Sequence, residues 1–167
     1  VTSDLSARAT QLTLQGTLPT AFGPDQSMQA SVEFATNGAQ FNDVALQEAI
    51  GDQITGTFDV DYQPDGKLRL SDIAINGAHY GMRGALVLQG LADAFETEID
   101  VVLRATQLSK FAKLANTALT GQAELAIKGT ADVGGAFDLQ AAGTTTDLGV
   151  GIAQADRVLA GLTKLNL

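Results

Sequence analysis

The residue types that carry most enzyme chemistry are scarce in this chain of 167 residues. It contains one histidine, His79, and no cysteine. Any catalysis by a histidine-activated nucleophile would depend on His79 alone, and thiol nucleophiles, disulfides and cysteine-ligated zinc are excluded. Because His79-Tyr80 lies between Gly77 and Gly81, we interpret it as part of a turn or strand end. No catalytic residue is predicted, and the protein is not expected to be an enzyme.

Acidic residues and glycines give two further patterns that could bind a ligand. The acidic groups are Asp59, Asp61 and Asp65, and Glu96, Glu98 and Asp100. Alternate residues of a strand project to one side, so most of these carboxylates form a solvated face and do not converge on a cation. Gly134-Gly135 lacks the Lys-Ser/Thr end of a phosphate loop and is interpreted as a turn. No metal and no cofactor is predicted.

Charge and composition exclude several classes of partner and favour one compartment. The formal net charge is −9, with 10 basic and 19 acidic residues, and no cluster of basic residues occurs. This argues against binding of nucleic acid or of an anionic membrane surface. A cysteine-free chain suits an oxidising compartment such as the periplasm. The chain begins at Val1 without a signal peptide or a membrane-spanning stretch, so residues 1–167 are interpreted as one segment of a longer protein.

Alternation of apolar and polar residues with a period of two dominates the chain. Residues 58–62, 97–103, 123–128 and 137–141 are the clearest examples. In most of them one side is aliphatic and the other acidic or polar, as in antiparallel strands with one dry face. An all-β fold is therefore predicted, with a mostly antiparallel sheet.

A hairpin is predicted in detail at Pro64-Asp65-Gly66, where glycine accepts the positive φ that closes the turn. This turn places Gln63 opposite Lys67, Tyr62 opposite Leu68, and Val60 opposite Leu70. The next pair would bring Asp72 onto the apolar side. Beyond it, the apolar residues Ile73 and Ile75 occupy odd-numbered positions, whereas Leu68 and Leu70 occupy even-numbered ones. A β-bulge at Ser71–Asp72 is therefore predicted, since one extra residue restores the register.

Two segments have helical spacing, and each is too short to be stable without packing on the sheet. Residues 108–115 form the first, with Thr106 as a candidate cap. Residues 152–160 form the second, followed by Gly161 in the position that favours a left-handed conformation. Degenerate repeats of strand, glycine and strand recur at about 28 residues and suggest a stacked β array.

The C-terminal part, about residues 104–167, resembles a known family most closely. It contains ATQLSKFAKL (105–114), LTGQAEL (119–125), GAFDL (135–139), GTTTDLGVG (143–151) and ADRVLAG (155–161). These motifs are similar to the periplasmic part of TamB-like proteins, the translocation and assembly module subunits of the AsmA-like group of bacterial envelope proteins. The rest of the chain is similar in the spacing of its apolar residues, aspartates and glycines rather than in residue identity.

The resemblance implies a long β sheet curled like a taco around an apolar trough. It implies a protein anchored in the inner membrane that spans the periplasm, moves phospholipid toward the outer membrane and supports outer-membrane protein assembly. The implied partner is an outer-membrane barrel, TamA. Membrane anchoring and contact with TamA cannot be assigned to any residue of this chain.

One continuous surface could hold the acyl chains of phospholipid. The candidate groove residues are Phe58, Val60, Tyr62, Leu68, Leu70, Ile73, Ile75, Leu86, Leu88, Ile99, Val101, Leu103, Leu125, Ile127, Phe137 and Leu139. Alternation alone favours a closed sandwich in which a second layer covers them, since open apolar patches are rare. The scarcity of aromatics and the family resemblance favour the open trough.

The predicted function is a non-catalytic hydrophobic conduit for phospholipid between the inner and outer membranes. Two alternatives stay open: a structural or adhesive β array of a secreted protein, and a scaffold that guides nascent barrel strands by edge pairing.

Overall fold

The computed structural model describes residues 5–17, 26–90 and 96–166, which form a single antiparallel sheet of nine strands. The strands are β1 (Leu5–Thr17), β2 (Met28–Phe41), β3 (Gln53–Gln63), β4 (Lys67–Gly77), β5 (Tyr80–Gln89), β6 (Glu96–Ala105), β7 (Thr120–Asp132), β8 (Phe137–Gly149) and β9 (Leu162–Asn166). Their order in the sheet is their order in the chain, so the sheet is an open meander. The predicted all-β fold, a curled and mostly antiparallel sheet with short helices, is confirmed.

The predicted hairpin between β3 and β4 is confirmed residue by residue. Gln63 is opposite Lys67, Tyr62 is opposite Leu68, and Val60 is opposite Leu70. Gly66 has a φ of 80° and donates its N–H to the carbonyl of Gln63 at 3.0 Å. The turn works as expected because glycine adopts this positive φ without steric cost.

The predicted bulge is also present. Asp59 is opposite Ser71 and Thr57 is opposite Ala74, so Asp72 and its neighbour together face Phe58. Asp72 has a φ of 50°, in the left-handed region that aspartate tolerates better than most residues. The extra residue returns the apolar side chains that follow to the face used before the bulge.

Three short helical segments lie in the connections: α1 (Val44–Ile50), a 3₁₀ segment (Leu108–Phe111) and α2 (Ala153–Leu159). The predicted second helix corresponds to α2, and Gly161 beyond it has a φ of 79°. The predicted helix over 108–115 is wrong, since only one 3₁₀ turn forms. The Thr106 hydroxyl does not cap it but donates to the His79 carbonyl at 3.2 Å.

Helix α1 is not anticipated by the sequence analysis. Residues 41–46 are similar in sequence to residues 70–75, which stay extended in β4. In α1 the Asp43 carboxylate accepts the N–H groups of Ala45 at 2.7 Å and Leu46 at 3.2 Å. This cap satisfies N–H groups that a helix start leaves without partners. The sequence repeat is therefore not a repeat of local structure.

The connections differ between the two ends of the sheet. Because the strands alternate in direction, all three helical segments fall at one end, which we call the helical end. The tight turns of residues 64–66 and 133–136 fall at the other, the hairpin end. The helical segments in the described residues are all too short and too polar to cross a bilayer.

Candidate functional site

The strand register shows which side chains lie together, because directly opposed residues project from the same face. One face, the apolar face below, carries five rows that cross the sheet from strand to strand. The two rows nearest the hairpin end are Met28, Tyr62, Leu68, Leu88, Thr97, Ala131 and Phe137, and then Ala30, Val60, Leu70, Leu86, Ile99, Gly129 and Leu139.

Three more rows continue the apolar face toward the helical end. They are Val32, Phe58, Ile73, Gly84, Val101, Ile127 and Ala141; then Phe34, Gly56, Ile75, Met82, Leu103, Leu125, Gly143 and Leu165; and last Thr36, Ile54, Gly77, Tyr80, Ala105, Ala123, Thr145 and Thr163. None of these residues is charged, so the face runs from β2 to β9 without an ionic group.

All sixteen residues named from the sequence for the groove lie on this face. Ile73 and Val101 are buried, with exposures of 4% and 6%. Leu103, Leu139 and Phe137 are exposed, at 37%, 40% and 74%. The other eleven are half-buried. A sandwich core would bury most of them, whereas only two of the sixteen are buried among the residues described here.

Polar and charged groups populate the opposite face. Asp59 accepts a hydrogen bond from the Ser31 hydroxyl at 2.6 Å, and Lys128 pairs with Asp100 at 2.9 Å. These contacts run between neighbouring strands, as expected for a solvated face. Within residues 5–17, 26–90 and 96–166, no group of three or more acidic or histidine side chains is placed to hold a metal ion.

Glycines allow neighbouring strands to approach closely within the apolar face. Gly84 and Gly129 both have a φ of 145°, and a Cβ on either would overlap the backbone of the next strand. Both lie in rows of the apolar face, as do Gly56 and Gly143. Missing side chains allow strands to approach closely on one side, and this is how strand glycines mark bends in sheets.

At the helical end the connections reach over the apolar face. The ring of Phe111 packs edge-on against Tyr80, with centroids 6.2 Å apart. Lys113 pairs with Glu48 of α1 at 2.7 Å, so the β6–β7 connection meets the β2–β3 connection. Burial raises the pKa of the Tyr80 phenol, which is consistent with this partial cover. Elsewhere the strands contact mainly their neighbours in the sheet.

Several residues of the apolar face are missing from the set named from the sequence, among them Phe34, Ile54, Tyr80, Met82 and Leu165. Ile54 and Met82 continue the alternation of β3 and β5 across glycines. Counting Gly56 and Gly84 as inward positions would have found them. Leu165 lies in a strand too short to show alternation clearly.

The chemistry of the site is that of an aliphatic surface. Comparison with protein-family models, with curated proteins and with solved structures finds no significant match. The one histidine, His79, lies in the turn between β4 and β5, and its carbonyl accepts bonds from Thr106. What the apolar face offers a ligand is exclusion of water and dispersion contact along the sheet.

Proposed function

We propose that this chain is a segment of a non-catalytic conduit in which the apolar face shields phospholipid acyl chains between the inner and outer membranes. One observation carries the proposal: five uncharged rows form one face of an open sheet, and most of their side chains are at least partly accessible. A buried methylene contributes about 0.8 kcal/mol, so a diacyl lipid needs no head-group pocket to be retained.

The same proposal assigns the chain to the periplasm, within an inner-membrane-anchored protein that also supports outer-membrane protein assembly. Its support is the resemblance of residues 104–167 to TamB-like proteins and the absence of cysteine. Contact with an outer-membrane barrel such as TamA would involve regions outside this chain. The trough itself would act on phospholipid acyl chains with little head-group preference.

A matched pair of substitutions tests the conduit. Leu103 and Val102 are adjacent in β6, lie on opposite faces, and are similarly exposed at 37% and 40%. Leu103→Asp should lower uptake of fluorescently labelled phospholipid by about tenfold or more, since a buried leucine contributes about 1.5–3 kcal/mol. Val102→Asp places the same charge on the polar face and should leave uptake unchanged.

Native mass spectrometry provides an independent measurement on the unmodified protein. Phospholipid should co-purify with the folded chain and return after delipidation. If the delipidated protein stays folded and takes up no lipid, the structural or adhesive array becomes the better account. Equal loss of uptake in both aspartate variants would also count against the conduit, because the effect would then not depend on the face.

One observation favours the strand scaffold as a second candidate. Within the described residues, β9 pairs with residues 142–146 of β8 and leaves the outer edge of residues 137–141 without a strand. An edge that presents Phe137 and Leu139 on one face could accept an alternating strand by backbone pairing. A peptide of a barrel strand should then protect the amides of residues 137–141 from hydrogen exchange.

A further inference from the structure

An apolar cavity of about 250 Å³ lies under the 3₁₀ segment at the helical end. Its floor is formed by the two rows of the apolar face nearest the helical end, with Leu103 and Leu125 from one row and Ala105 and Ala123 from the next. Its cover is formed by Leu108 and Phe111. The cavity is thus a partly open pocket that continues the apolar face beneath the 3₁₀ segment.

The cavity owes its room to small residues. Ala105 is directly opposite Ala123, where larger side chains would fill the space beneath the 3₁₀ segment. Arg104 is the one charged residue at the border of the cavity. It is opposite Glu124 and Gly81 and belongs to the polar face of the sheet. The accessible lining of the cavity is almost entirely apolar, so burial of a charge there would be unfavourable.

The cover is held in place by three contacts, two with other connections and one with strand β5. The Thr106 N–H donates to the His79 carbonyl at 2.9 Å, the Phe111 ring packs on Tyr80, and Lys113 pairs with Glu48. Farther along, the Thr117 hydroxyl donates to the Val150 carbonyl at 3.4 Å. These contacts span the helical end, whereas the hairpin-end residue Phe137 stands exposed.

We propose that this cavity binds the methyl end of an acyl chain that lies along the apolar face, so that lipid is oriented with its tail toward the helical end. The proposal rests on the proposed function and adds a direction to it. Apolar cavities of about 150 Å³ already bind benzene, so this one is large enough for the end of an alkyl chain. The head group is left at the open side or hairpin end, where it keeps its hydration.

Photoreactive fatty acids test the orientation. One probe carries a diazirine at the terminal carbon and the other carries it next to the carboxylate. The terminal probe should label peptides that contain Leu108, Phe111 or Leu125, whereas the carboxylate-side probe should label residues nearer the hairpin end.

Matched variants separate the cavity from the rest of the trough. Ala123→Leu fills the cavity and should lower labelling by the terminal probe at least about fourfold, the effect of losing one buried methylene. Ala126→Leu makes the same change in the same strand on the opposite face and should leave labelling unchanged. Phe111→Ala enlarges the cavity at its cover and should shift the preferred chain length in a competition series upward.

The outcomes distinguish this inference from the conduit itself. If both probes label the rows evenly and Ala123→Leu has no effect, the orientation is wrong and the conduit stands. If neither probe labels the folded protein, both proposals fail. Should Ala123→Leu not fold, an unchanged chain-length preference in Phe111→Ala would overturn the inference.

Discussion

At the residue scale, the apolar face contains one polar group that is fully enclosed. Thr145 is 2% exposed, and its hydroxyl has no hydrogen-bond partner among the described residues. It lies in the row nearest the helical end, opposite Ala123 and Thr163. A buried hydroxyl without a partner costs free energy relative to an apolar group of the same shape.

Thr145→Val should therefore leave the free energy of unfolding unchanged or raise it by up to about 1 kcal/mol. Thr163→Val is the control, because the Thr163 hydroxyl donates to the Leu159 carbonyl at 3.4 Å. That change should lower stability by about 0.5–1.5 kcal/mol. Urea unfolding measures both. A clear loss in Thr145→Val would show that the hydroxyl has a partner in solution.

At the element scale, strands were more predictable than helices. Alternation identified strand segments because one face of each strand is apolar along its length, and Pro64-Asp65-Gly66 determined the register of the β3–β4 hairpin. Alternation at Ser71–Asp72 also revealed the bulge. Helix α1 was not predicted because a segment of seven residues shows too little helical periodicity, and because its start depends on the Asp43 cap. Residues 108–115 have helical spacing, yet only residues 108–111 form a helical segment, a single 3₁₀ turn.

Gly84 should be essential for the pairing of β5 with β6. A Cβ at this position would meet the Asp100 carbonyl and Val101, and its φ of 145° disfavours any other residue. We expect Gly84→Ala to lower the free energy of unfolding by about 1–3 kcal/mol. Hydrogen exchange should show the loss of protection concentrated in β5 and β6.

Gly81→Ala provides the control for this strand. The nearest atom to its added Cβ is the Asn76 side-chain oxygen at 3.4 Å, an ordinary contact. Stability and amide protection should change little. Equal destabilisation by both substitutions would mean that the close approach at Gly84 is not the cause of the loss of stability.

At the scale of the whole molecule, the sheet buries few side chains completely. Among the described residues, the buried apolar side chains are Ala30, Ala39, Ile73, Val87 and Val101 of the sheet and Ala49 of α1. Contacts between neighbouring strands therefore provide most of the stability, as in repeat proteins. The Glu48–Lys113 pair is different, because it joins two connections that are far apart in the chain.

That ion pair should make the helical end sensitive to acid. The hydrogen bond and charge of Lys113 hold the pKa of the Glu48 carboxyl below its ordinary value of 4.5. Since the pKa is lowered by folding, the stabilisation is fully present above pH 4.5 and is lost as the pH falls through the lowered pKa. Hydrogen exchange of α1 and the 3₁₀ segment should increase over that range.

NMR titration of the Glu48 carboxyl gives the direct measurement. Lys113→Met should raise its pKa toward 4.5, whereas Lys110→Met should have a smaller effect because the Lys110 charge is the weakest influence on this carboxyl. An unchanged Glu48 pKa in Lys113→Met would show that the pair does not form in solution. High salt should mimic the variant, since exposed ion pairs are screened.

Most of the strands, the β3–β4 register, the bulge and the placement of sixteen side chains on one apolar face could be predicted from the sequence. These follow from a period of two and from turn chemistry, which act between near neighbours in the chain. The tertiary structure was needed to show that, among the described residues, this face stays partly accessible and is contacted by connections at the helical end. Those properties depend on contacts between segments far apart in the chain, such as Glu48 with Lys113, whose proximity no local pattern encodes.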